Sequence, residues 1–169
     1  MEYLILLRLI HIVCTVIWTG GMIYLAAFVI PAVKASGPDG AKFIQQLYGT
    51  NKLPVIMNGA AILSIASGII LMQKLLGGLQ PVFNSTHGLI IFIGALLALA
   101  GFIVGLSINL PNARRMNTIG KMLAASSMPP DEVQLKELQR LRSKSFAATN
   151  AIAILLLASL ILMSIVKYL

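Results

Sequence analysis

The chain has 169 residues, of which 58% are hydrophobic and only 11% charged, with a mean hydropathy of +0.90. An ordinary soluble domain is about 45–50% apolar and about 25% charged, so a water-soluble enzyme domain and a disordered chain are both excluded. The net charge of +8 falls in loops between apolar runs, which suits anionic headgroups and argues against nucleic acid as a partner.

Four apolar segments carry most of the length, at about 4–33, 53–76, 87–110 and 146–166. Each reaches the roughly 20 residues needed to cross about 30 Å of hydrocarbon. Period-two alternation is absent, so strands of a barrel are not expected. The first segment is broken only by Arg8 and His11. It lacks the basic start, short apolar stretch and small-x-small end of a cleavable signal, and reads as a retained span. The fold class predicted is all-α: a single-domain, polytopic four-helix membrane bundle over residues 1–169.

The connection at 34–52 contains a short amphipathic helix, with Asp39 as its N-cap and Gly49 as its stop. Pro54 opens the second span at a first-turn position, where its missing N–H does no harm. Ala60, Ser64 and Gly68 form a ridge of small residues suited to close helix packing. Asn58 and Asn150 lie nearer the opposite end of the bundle from the histidines and are expected to hydrogen-bond across it. The connection at 111–145 holds a second amphipathic stretch, Pro129 to Arg142. Its Leu135, Leu138 and Leu141 recur every three residues, with acids first and bases last, as the helix dipole prefers. It should run on into the fourth span.

Lys34, Lys42, Lys52, Arg114, Arg115, Lys121, Lys136, Arg140, Arg142 and Lys144 make ten of thirteen basic residues on one side. The positive-inside rule then puts both connections in the cytoplasm and both chain ends outside. A bacterial inner-membrane location follows as the expectation.

His11 and His87 begin the first and third spans, which enter from the same side, so both imidazoles should lie near the outer face. Ionisable groups inside a span are costly and point to function. Two histidines at one depth on different helices suit bis-imidazole ligation of haem b. Gly94, Gly101 and Gly105 continue the His87 face, where missing Cβ atoms would admit a flat macrocycle; the same stripe reads equally as helix packing. Trp18 lies two turns below His11 and suits either a pocket wall or core filling. Arg8, one turn above, suits a haem propionate or a lipid headgroup.

His11 and Cys14 share a face and would suit a soft metal such as Cu(I), helped by methionines such as Met22, Met57, Met72 and Met163. Those methionines form no M-x-M cluster, and the lone Cys14 forms neither an internal disulfide nor a Cys-rich metal site. The residues therefore predict a membrane b-type haem protein passing electrons near the outer face, with a quinone or periplasmic redox partner. A copper-handling protein using His11, Cys14 and methionines stays open, as does a non-catalytic subunit anchoring a partner. Homo-oligomers are compatible with either.

The runs Leu9-Ile10-His11-Ile12-Val13, Trp18-Thr19-Gly20-Gly21 and Phe28-Val29-Ile30-Pro31-Ala32 resemble the first span of bacterial copper-resistance-D-like membrane proteins. Pro129-Pro130-Asp131-Glu132, Leu138-Gln139-Arg140-Leu141-Arg142 and Lys167-Tyr168-Leu169 are similar to small members of that group. The His…Trp…Gly pattern also resembles HemJ-type protoporphyrinogen oxidases. That second resemblance implies a b-type haem held by a first-helix histidine, here His11. The first implies an association with copper.

Overall fold

The first apolar run folds as one helix, α1 (Glu2–Ala35), in a computed structural model that describes residues 2–77, 80–125 and 131–168. A short amphipathic helix α2 (Gly37–Gly49) follows, then α3 (Leu53–Leu76), the four-residue α4 (Gln80–Phe83), α5 and α6 (Glu132–Ile165). Helix α5 consists of Thr86–Val104, a π-helical turn Gly105–Asn109 and Leu110–Ala125. No strand occurs among the described residues. Among the described residues four helices, α1, α3, α5 and α6, are long and apolar enough to cross a membrane. Pro129, Pro130 and Leu169 lie outside the described residues.

Prolines inside α1 and α5 explain why neither helix is uniform. Pro31 and Pro111 each lack an N–H, and each ring crowds the carbonyl four residues earlier. Those residues are Ala27 and Ser107. Each is the central residue of a π-turn, Leu25–Val29 in α1 and Gly105–Asn109 in α5. A π-turn widens the helix by one residue and relieves the clash without ending the helix. The third span therefore runs past Leu110, where the sequence pattern alone stops it. A further π-turn in α1, Val16–Gly20, has no proline after it and leads into Gly21, which Met57 of α3 covers closely.

Both ends of α3 are fixed by left-handed residues. Lys52 (φ 50°) precedes Pro54 in the first turn, as expected, and Gly77 (φ 72°) closes the helix. Ser85, extended, then caps α5 by accepting the Gly88 amide at 3.0 Å. The start of α2 differs from expectation. Ser36 is the N-cap and Asp39 lies inside the first turn, where its carboxylate pairs with Lys42 at 3.2 Å. Proline is favoured in the first turn of a helix, which suits a helix already begun before Asp39. The extension of α6 is continuous with the fourth span. It is tied to α5 by Arg115 and Glu137 at 2.6 Å and by Asn112 to Ser145 at 3.2 Å.

Helix α1 packs along α3, and α5 along α6, with α6 also touching α1. The main core gathers Cys14, Trp18, Met22 and Leu25 of α1, Ala60 and Ala61 of α3, and Ile152, Ala153 and Leu156 of α6. A second cluster, Ile30, Val33, Ile44 and Phe146, seats α2 against the end of α1 and the interior of α6. Large apolar side chains such as Ile5, Val16, Phe28, Ile62 and Ile154 point outward. Such faces have no place in water and suit hydrocarbon.

Candidate functional site

His11 is half-buried and turned toward α3. Its Nδ1 lies 2.8 Å from the Ser64 carbonyl oxygen. A carbonyl only accepts, so Nδ1 carries a proton, and in the neutral ring Nε2 is then the nitrogen with the free lone pair. Ser67 Oγ stands 3.3 Å from the same nitrogen and itself donates to the Leu63 carbonyl. One turn along α1, Thr15 Oγ1 meets Ser64 Oγ at 2.6 Å. The ring rests on Gly68, where a Cβ would come within 2.8 Å of His11 Cε1. The small ridge Ala60, Ser64 and Gly68 is thus the seam that faces α1, and His11 occupies its notch.

The other residues singled out from sequence lie outside this seam. His87 is exposed in the first turn of α5, and Arg8 is exposed on α1. Trp18 is buried in the core, edge-on to Phe102 with ring centroids 6.2 Å apart. Gly94 faces Met163 and Ser159 of α6, whose Oγ donates to the Gly94 carbonyl at 2.7 Å. Gly101 faces Ile152 and Leu156, and Gly105 faces Ile152. The glycine stripe therefore lies in the α5–α6 contact. Cys14 is buried in the main core. Among the described residues no group of three His, Cys, Asp or Glu side chains comes together.

The sequence reading missed a polar centre in the other half of the bundle. A cavity of about 50 Å³ lies between α1, α3, α5 and α6, with Tyr48 of α2 at its edge. All three π-turns contribute to its wall, through Trp18, Leu25, Gly105 and Asn109. Asn109 Nδ2 donates to Thr149 Oγ1 at 3.2 Å, and Thr149 also hydrogen-bonds Tyr48. Asn109 Oδ1 is enclosed without a protein partner. Asn58 donates to the Pro54 carbonyl of its own helix at 2.7 Å, and Asn150 is exposed. Asn109 and Asn112 make the cross-bundle bonds instead. Pro111, which widens the helix beside Asn109, was the one signal that could have marked this centre.

The helices, their length and their outward apolar faces define an all-α, multi-pass membrane protein. No family model, curated protein or solved structure matches the chain.

Proposed function

We propose that this membrane protein is a b-type haem protein of electron transfer, with His11 as axial ligand and His87 as its partner ligand. The observation that carries the reading is the 2.8 Å bond from His11 Nδ1 to the Ser64 carbonyl. Haem- and metal-bound imidazoles characteristically donate their second N–H to a carbonyl or carboxylate, which fixes the tautomer and aims the free nitrogen. Ser67 and Gly68 add to this by holding the ring from a second polar atom and from a flat surface. Haem, when bound, would supply one-electron redox chemistry.

Arg8, exposed one turn from His11, is the cation suited to a propionate. Gly94 and Gly101 are engaged with α6, and the interior cavity of about 50 Å³ is far below the roughly 300–1,000 Å³ of a cofactor pocket. The proposed ligation therefore uses the flank of the bundle, where His11 is half-buried and His87 exposed. The reading includes an inner-membrane location with both chain ends outside, and exchange of electrons with a quinone or periplasmic partner. Membership of the copper-resistance-D-like group, with its likeness to HemJ-type oxidases, belongs to the same proposal.

Absorption spectroscopy of the detergent-purified protein tests it. A Soret band with a sharp reduced α band is expected in the wild type. His11→Ala and His87→Ala should each convert or abolish the low-spin spectrum, while Cys14→Ala leaves it unchanged. A colourless wild type, or a normal spectrum in the double histidine variant, overturns the reading. Copper bound in stoichiometric amount to the colourless protein would turn attention to His11 and Cys14.

A further inference from the structure

At the end of the bundle that carries the basic connections, α2 and the extensions of α5 and α6 enclose an open cavity of about 1060 Å³. Three cations line it, Lys34, Lys42 and Arg142, and no acid does so among the described residues. Arg142 is half-buried, and its Nε is fully enclosed with no hydrogen-bond partner. Arg142 also lines the open cavity, and phosphate is the acceptor that matches a guanidinium's planar fork. Lys34 Nζ lies 5.9 Å from the centroid of the Phe146 ring. Its charge thus stands directly above the apolar wall formed by Phe146, Ile44 and Leu138. Lys42 is exposed and already paired with Asp39, so it contributes to the rim and Arg142 and Lys34 form the binding pair.

We infer that this cavity is a binding site for an anionic phospholipid of the surrounding bilayer. Its phosphate would meet Arg142 and Lys34, and the first part of its acyl chains the Phe146–Ile44–Leu138 wall. Three features select that class. Cations without acids demand an anion, the contiguous apolar wall demands an attached hydrocarbon, and the cavity exceeds what a free inorganic ion fills. Basic pockets between spans at the cytoplasmic side are where anionic headgroups bind. Nothing in this inference depends on His11 or on haem.

Native mass spectrometry of the full chain released from nanodiscs is the test, with equal dioleoyl phosphatidylglycerol and dioleoyl phosphatidylcholine as the lipids. Retention of phosphatidylglycerol over phosphatidylcholine by about tenfold or more is expected, since a charge-assisted bond is worth about that factor or more. Arg142→Gln and Lys34→Gln should each lose the preference, while Arg140→Gln, exposed and outside the cavity, should keep it. Equal retention of both lipids overturns the inference by showing an apolar groove only. Equal loss in Arg140→Gln overturns it by showing diffuse surface charge. Displacement of the phospholipid by inorganic phosphate alone, or binding of dodecyl phosphate from solution without retention of phosphatidylglycerol, also overturns it. If Arg142→Gln fails to fold, the wild-type preference and Lys34→Gln decide.

Discussion

His11 is held from α3 by one carbonyl, one hydroxyl and one glycine, so the glycine is the most economical place to disturb it. A side chain at Gly68 enters the volume of the imidazole. Gly68→Leu should cost about 1–3 kcal/mol, the usual range for overpacking a filled site, read as a lowered thermal midpoint in detergent. The same change made in a His11→Ala background should cost clearly less, because the notch is then open. Equal losses in both backgrounds would show that the ring does not occupy it. Tyr48 offers a second residue-scale test, through pH. Burial pushes its phenol above the ordinary value of 10.0, and the hydrogen bond with Thr149 partly opposes the shift. The folded state therefore favours the neutral phenol. That contribution is complete below pH 10 and is lost as pH rises beyond it. Tyr48→Phe should start about 1 kcal/mol less stable from the lost hydrogen bond. It should then decline less than wild type between pH 10 and pH 11 in thermal scans.

At the scale of the helix, the π-turns are the feature that sequence periodicity hides. A π-turn is one extra residue inserted into an α-helix, so removing a residue there restores the α-repeat downstream. Deleting the exposed Ile108 from the turn Gly105–Asn109, together with Pro111→Ala, should leave Leu110–Ala125 in register. The variant should insert and keep Asn112 opposite Ser145, seen as retained thermal stability. Deleting Leu96, within the regular helix Thr86–Val104, should instead rotate everything after it by about 100° per residue and abolish a folded peak on size exclusion. If both deletions behave alike, the turn is not what absorbs the proline. The helix also shows what was readable beforehand. The ridge Ala60, Ser64 and Gly68 was legible as a seam, because small residues four apart admit another backbone. The stripe Gly94 and Gly101 carries the same signal but was also consistent with a flat ligand. Only the position of Met163, Ser159, Ile152 and Leu156 opposite it assigns it to packing.

For the whole molecule, four helices long and apolar enough to cross a membrane would, crossing in turn, place both chain ends on one side and both basic connections on the other. Cysteine labelling checks this directly, since Cys14 is the sole cysteine and Cys14→Ala gives a clean background. Single cysteines in place of Glu2 and Tyr168 should react with an impermeant maleimide from one side. Cysteines in place of Thr50 and Arg140 should react only from the other. In the orientation proposed above, the first side is the outside. Labelling of Thr50→Cys and Tyr168→Cys from the same side would break the four-span topology.

The number of spans and the continuity of the α6 extension were determined by the sequence itself, because hydrocarbon thickness demands runs of about 20 apolar residues and tolerates few charges within them. The partners of each face were not. A span that is apolar all round carries almost no directional pattern, so the order of the spans yields an expected depth for His11 and His87 but not which way either ring turns. Packing decided that. Close approach at Gly68 drew His11 onto α3, contact with α6 took up Gly94 and Gly101, and two prolines widened α1 and α5. The three π-turns bring Trp18, Leu25 and Asn109 around one small, mostly apolar cavity that no stretch of sequence contains.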